Sequence, residues 1–190
     1  MKALRDVFGD TLVSLGASDP NVVVLDADLA NSTKADKFAK MYPGRFLQMG
    51  IAEQNFVGVA VGIASLGYVP WLSTFTVFFT HRALDPIRML VAQTHANVKI
   101  GAAYAGVLTG LTGKTHHDVQ DLAIMRAMPD MTVVAPADAI EGEASFVGPP
   151  NLTGPSISVW RGMPVRMFLT SNINLSPGGQ FPSERETMSC

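Results

Sequence analysis

The architecture follows from one run, Val22-Val23-Val24-Leu25-Asp26-Ala27-Asp28. Four consecutive apolar residues without polar alternation describe a strand covered on both faces, and such strands belong to parallel sheets flanked by helices. Two carboxylates, Asp26 and Asp28, follow at the end where open α/β sheets place their chemistry. Upstream, Leu4, Val7, Phe8, Leu12 and Leu15 recur at helical spacing, and Asp19-Pro20 closes that helix before the strand begins.

The same alternation repeats outward from this unit. Further strands are expected at Phe46 to Met49, Val69 to Ser73, Val98 to Ala102, Met131 to Val134 and Ile157 to Trp160. Helices are expected at Thr33 to Met41, Ala52 to Ser65, Thr80 to Ala92, Val119 to Ala127 and Ala137 to Ser145. Strands joined by helix-length segments build right-handed βαβ units, so the expected fold is α/β, a doubly wound, mostly parallel sheet with helices on both faces. One domain is expected over residues 1–166. Residues 167–190, rich in Ser, Asn, Pro and Gly without an apolar period, read as an irregular tail.

Composition narrows the partners. The chain has 190 residues, 47% hydrophobic and only 16% charged, against roughly a quarter charged in an average soluble protein. Lys plus Arg number 14 against 16 Asp plus Glu, a net charge of −2, so no basic field exists to hold nucleic acid or an anionic membrane. Cys190 is the single cysteine, which excludes an internal disulfide. The start, Met1-Lys2-Ala3-Leu4-Arg5-Asp6, carries charges where a signal peptide needs an apolar stretch, so a cytoplasmic location is expected. From Phe56 to Thr80 no charged residue occurs, but Gly58, Gly62, Gly67, Pro70 and Ser73-Thr74 interrupt the run. It reads as a buried helix followed by a buried strand, and no membrane partner is expected.

Several segments invite a chemical interpretation. Gly110-Leu111-Thr112-Gly113-Lys114-Thr115 ends like a phosphate loop, but position 108, where that motif needs glycine, is Leu. His116-His117-Asp118 could suggest a metal site, yet sequence neighbours point apart and no further ligand follows at a metal-site spacing, so no metal ligand is expected. Glu53 opens an otherwise apolar helix, Phe56-Val57 through Ile63-Ala64, expected to be buried all round. The helix N-terminus alone stabilises such a carboxylate, but its place at the strand end of a buried helix also turns it to the crevice. Phe75, Phe78 and Phe79 follow a strand and serve either as core or as the wall of a heterocycle pocket.

Taken in order, Met49-Gly50-Ile51-Ala52-Glu53-Gln54-Asn55, Ser73-Thr74-Phe75, Gly113-Lys114-Thr115-His116 and Met125-Arg126-Ala127-Met128-Pro129-Asp130-Met131 resemble the pyrimidine-binding domain of transketolases. The likeness runs from about Leu4 to about Val165 and is greatest to the C-terminal subunit of transketolases split into two chains. It implies the thiamine diphosphate-binding fold and a two-carbon ketol transfer between sugar phosphates, with thiamine diphosphate and Mg2+ as cofactors. By this resemblance Glu53 hydrogen-bonds the aminopyrimidine and Ile51, Phe75 and Phe78 complete its pocket. His116 lies near the substrate oxygens, Asp28 and Ser32 line the substrate channel, and Arg161 takes a sugar phosphate. Thr112 and Tyr104 depart from the family, standing where many members carry an acidic residue and a phosphate-contacting histidine.

The family binds the diphosphate and Mg2+ through a Gly-Asp-Gly motif on another domain, and no such run occurs here. A diphosphate-binding N-terminal subunit is therefore the expected partner, self-association is expected, and the chain alone is expected to be inactive. The family's third domain should follow Arg161, so a truncated or frame-shifted reading frame is expected at the tail. Within the class, Thr115-His116-His117 also resembles deoxyxylulose-phosphate synthases, and a keto-acid dehydrogenase β subunit is a further alternative. A subunit that binds a partner without chemistry is the alternative from another class.

Overall fold

The computed structural model describes residues 2–148 and 153–160. Helix α1 (Leu4–Ser18) leads into β1 (Val22–Asp26), followed by α2 (Ala30–Thr33), α3 (Asp36–Met41), β2 (Phe46–Gln48), α4 (Glu53–Ser65) and β3 (Val69–Phe75). A π turn (Phe78–Arg82), the short α5 (Leu84–Pro86) and a second π turn (Ile87–Ala92) precede β4 (Lys99–Ala103). Then come α6 (Asp121–Arg126), β5 (Thr132–Val134), α7 (Ala139–Val147) and β6 (Ser156–Trp160). The six strands form one sheet in the order β2-β1-β3-β4-β6-β5 with every pairing parallel, which is the doubly wound α/β architecture expected.

Both faces are covered, which explains the unbroken apolar strands. On one face Leu25, Leu72, Ile100 and Ile157 meet Phe56, Val57 and Ala60 of α4 and Phe79, Ile87 and Val91 of the π segment. On the other, Val24, Trp71 and Trp160 meet Phe8 and Leu12 of α1, Phe38 of α3 and Phe146 of α7. Phe8 lies so close to β4 that a Cβ on Gly101 would stand 2.5 Å from its ring. Alanine there would force the aromatic cluster of Phe8, Phe146 and Trp160 apart.

Three helical expectations differ in detail. The stretch from Thr33 to Met41 is broken, because Lys34 adopts a left-handed φ of 71° between α2 and α3. The stretch from Thr80 to Ala92 is helical but widened into π turns around Pro86, which has no N–H to continue an α-helical ladder. Helix α4 is not buried all round: Phe56, Val57 and Ala60 face the sheet, whereas Gly62, Ser65 and Leu66 are exposed. The uncharged run from Phe56 to Thr80 is α4 followed by β3, and no described helix is long and apolar enough to cross a membrane. Arg161 and the tail at 167–190, with the domain boundary at 166, lie outside the described residues.

Candidate active site

The connection leaving β1 passes through α2 and α3 on the α1 face, whereas the one leaving β3 passes through the π segment on the α4 face. Opposite departures from neighbouring strands open a crevice beyond their carboxyl ends. Glu53 stands in it. With Phe56, Val57 and Ala60 it shares the stripe of α4 that faces the sheet, so its carboxylate is turned inward and is only 6% exposed. A cavity of about 560 Å³ opens against it, lined by Ala52, Glu53, Gln54, Asn55, His81 and Arg82.

Arg82 donates from Nη1 to Glu53 Oε1 at 2.8 Å, and its guanidinium lies 4.3 Å from the centre of the Phe78 ring. A cation thus donates to a carboxylate while its guanidinium carbon lies over an aromatic ring. The Phe75 and Phe78 rings are nearly parallel, 10° apart with centroids at 6.0 Å, and form a stacked aromatic wall. His116 meets both rings edge-on, at 6.0 and 5.4 Å. Its loop is pinned beneath: the Thr80 hydroxyl bonds Asp118 Oδ2, Asp118 Oδ1 accepts from the Gln120 amide at 2.9 Å, and Gly106 and Asp118 form a β-bridge.

The opposite wall carries the candidate substrate loop. Asp28 is exposed and left-handed at φ 63°, and Ser32 is half-buried. The Tyr104 hydroxyl donates to the Ser32 carbonyl at 3.4 Å and accepts from Arg5 Nη1 at 2.7 Å, while its ring packs 4.4 Å from that of Phe75. Tyr104 therefore joins the aromatic wall to the loop and directs Arg5 toward Ser32. Asp26, fully buried under this loop, accepts from the amides of Leu29 and Ala30, and burial pushes its carboxyl above the ordinary range. Ile51, on the turn before Glu53, is 73% exposed at the crevice mouth.

The structure thus draws Glu53, Phe75, Phe78, His116 and Ser32 into one chain of contacts, with Asp28 and Ile51 on its rim. Arg5, Gln48 and Arg82 were not singled out by sequence. Arg5 and Tyr104 are 99 positions apart, and Arg82 and Glu53 are 29 apart, so no local pattern announces either pair. Gly110–Thr112 and Lys114–His116 form 3₁₀ turns, not the strand, loop and helix of a phosphate loop. Among the described residues no group of three or more His, Cys, Asp or Glu side chains is placed to hold a metal ion.

Fold and crevice together describe an α/β domain able to hold a flat heterocycle edge-on to one carboxylate. The family model described as transketolase, pyrimidine binding domain, matches residues 1–146, and the chain belongs to that family. It is 47% identical over 137 residues to a transketolase C-terminal section of Methanocaldococcus jannaschii, covering 72% of this chain and 43% of that protein. To the 6-deoxy-6-sulfo-D-fructose transketolase subunit SqwH of a Clostridium species it is 38% identical over 143 residues, covering 75% of this chain and 44% of the other. A solved split-gene transketolase, described as an inactive β4 tetramer, superposes with a TM-score of 0.78 at 42% identity, over 93% of this chain and 57% of that one. The chain spans less than half the length of these two curated relatives.

Proposed function

We propose that this chain supplies the pyrimidine-binding half of a thiamine diphosphate-dependent transketolase, which moves a two-carbon ketol unit between sugar phosphates once a diphosphate-binding subunit completes the site. The observation that carries this reading is the Arg82 guanidinium, hydrogen-bonded to Glu53 and lying over the Phe78 ring. It is a planar nitrogen group in the contacts an aminopyrimidine would make, so the residues present fit that ring.

When bound, thiamine diphosphate supplies a carbanion equivalent that no amino-acid side chain offers. This chain's own part is to orient and to hold protons. Glu53 would hold a proton at the ring nitrogen facing Oε1, and its burial shields that exchange from bulk water. Phe75 and Phe78, with Ile51 at the mouth, would fix the plane of the ring. His116, edge-on to both rings, would reach the substrate oxygens above them. Asp28 and Ser32 would line the sugar's path. Arg5, beside Ser32, and Arg161 would take the phosphate, because a guanidinium pairs with phosphate oxygens through a fork of donors.

The diphosphate and Mg2+ fall to the partner subunit, in keeping with a sequence that has no Gly-Asp-Gly run. Exposed apolar side chains near the crevice, Ile51, Val107, Leu108, Leu111 and Val119, suit an interface with that partner or with a second copy. We assign the domain to residues 1–166, a separate tail to residues 167–190 and the protein to the cytoplasm.

The test is reconstitution. Mixed with a diphosphate-binding transketolase subunit, thiamine diphosphate and Mg2+, the chain should transfer ketol units between sugar phosphates, and Glu53→Ala should abolish turnover. Assembly without turnover would overturn the catalytic reading and leave a subunit that only binds its partner.

A further inference from the structure

Two side chains that belong to neither the aromatic wall nor the cavity lining, the buried Asp26 and the exposed Gln48, join the crevice loops. Asp26 closes β1, and its Oδ1 accepts from the amides of Leu29 at 2.7 Å and Ala30 at 2.9 Å and from Gln48 Nε2 at 3.2 Å. Gln48 closes β2, and its Oε1 accepts from the amides of Asp28 at 2.9 Å and Gly50 at 3.1 Å. Asp28 and Gly50 are the two left-handed residues of these loops, at φ 63° and 68°. The first opens the segment that leads to Ser32, and the second opens the turn Gly50-Ile51-Ala52 that delivers Glu53 at the start of α4.

A single amide group therefore receives the turning N–H of both loops, while its other end is tethered to the carboxylate that holds the rest of the first loop. Glutamine suits this place on chemical grounds. Its carbonyl accepts both amides and its NH2 donates to Asp26; glutamate would set a second carboxylate against the first, and methionine offers neither function.

We propose that Gln48, aimed by Asp26, is a positioning residue that sets the substrate loop at Asp28–Ser32 and the cofactor turn at Gly50–Glu53 in one fixed relation. This rests on the function proposed above, because only a site that takes two ligands at once needs its two loops coupled. Neither residue touches the reacting groups. Their part is to make displacement of one loop a displacement of the other, so that loosening the pair weakens the binding of both ligands, since the ordering cost of the loops is then met at each binding step.

The experiment has two readouts on the full-length chain. Amide hydrogen exchange of the isolated chain comes first. In Gln48→Met the amides of Asp28 and Gly50 should exchange at least tenfold faster, while those of β3 and β4 keep their wild-type rates. Asp26→Ala should do the same, and Asp26→Asn, which keeps Oδ1, should restore protection. The second readout uses the complex with a diphosphate-binding subunit. Gln48→Met should raise both the Kd for thiamine diphosphate and the KM for xylulose 5-phosphate severalfold, with kcat at saturation within about twofold of wild type.

Unchanged exchange at Asp28 and Gly50 overturns the hub. So does a defect confined to one of the two ligands, since a coupling residue must disturb both. Should Gln48→Met fail to fold, the Asp26→Ala and Asp26→Asn pair decides by the same criteria. A wild-type complex without ketol transfer would remove the transketolase reading, and the exchange result would still judge the coupling of the loops.

Discussion

Arg82 pairs with Glu53 at 2.8 Å although the arginine side chain is 51% exposed and the carboxylate only 6%. One partner is held and the other is free to leave. The bond anchors a half-exposed cation over a nearly buried carboxylate, and the Phe78 ring steadies it from the other side. A half-exposed ion pair contributes at most about 1 kcal/mol and an exposed cation–π contact a similar amount, so a ligand that makes both contacts can displace the side chain.

Removing Arg82 should therefore help the cofactor. In the reconstituted complex, Arg82→Ala is expected to lower the Kd for thiamine diphosphate by about fivefold, equivalent to about 1 kcal/mol of competition relieved. Isothermal titration against wild type measures it. A weaker Kd in the variant would show that the guanidinium supports the bound ring instead of standing in for it.

What could be read beforehand follows the range of each interaction. The six strands are apolar-rich segments, and Glu53 is conspicuous because no other charge lies on α4, so both are visible locally. The break at Lys34 and the π turns about Pro86 are backbone choices that a helical apolar pattern does not register. The exposed half of α4 is hidden for a related reason: Gly62 and Leu66 look like core in a sequence of uniform apolarity, yet among the described residues nothing covers them. Arg5, Gln48 and Arg82 acquire meaning only from partners brought close by folding. The family resemblance supplied roles for Phe78 and His116 that their spacing left open.

The loop that carries His116 should depend on a residue buried below it. The Thr80 hydroxyl bonds the Asp118 carboxylate, and Asp118 is 2% exposed, so removing the hydroxyl strands a buried anionic oxygen. Thr80→Val, nearly equal in shape, should destabilise the chain by about 1–3 kcal/mol. It should also raise the KM for the sugar phosphate more than the Kd for thiamine diphosphate, because His116 faces the substrate and Glu53 does not depend on this loop. Urea titration and steady-state kinetics check the two parts separately. Equal losses in both ligands would contradict the separation of the loops.

The exposed apolar rim predicts a mutation that spares the fold and breaks the assembly. Ile51 is 73% exposed and Leu111 fully so, and neither supports the core of the isolated chain. Ile51→Lys and Leu111→Lys should each change stability by no more than about 0.5 kcal/mol, as surface substitutions do. Light scattering should nevertheless show weakened association with the diphosphate-binding subunit or with further copies of the chain. Association at wild-type strength in both variants would place the interface elsewhere.

A pH dependence follows from Lys99, which lies at the start of β4 on the side of the sheet away from the crevice. It is buried, donates from Nζ to the Gly154 carbonyl at 2.8 Å, and burial pulls its pKa from 10.5 down to about 8. Below about 8 the folded and unfolded chains both carry the proton, and the cost of burying the ammonium is borne in full. Between about 8 and 10.5 the unfolded chain holds a proton that the folded chain has released, so the contribution of Lys99 to stability rises with pH across that window. Lys99→Met removes the titrating group. Relative to the variant, wild type should gain steadily in urea midpoint as the pH rises from 7 toward 10, which changes the gap between the two. A gap that stays constant from pH 7 to 10 would show that Lys99 remains protonated in the folded chain throughout.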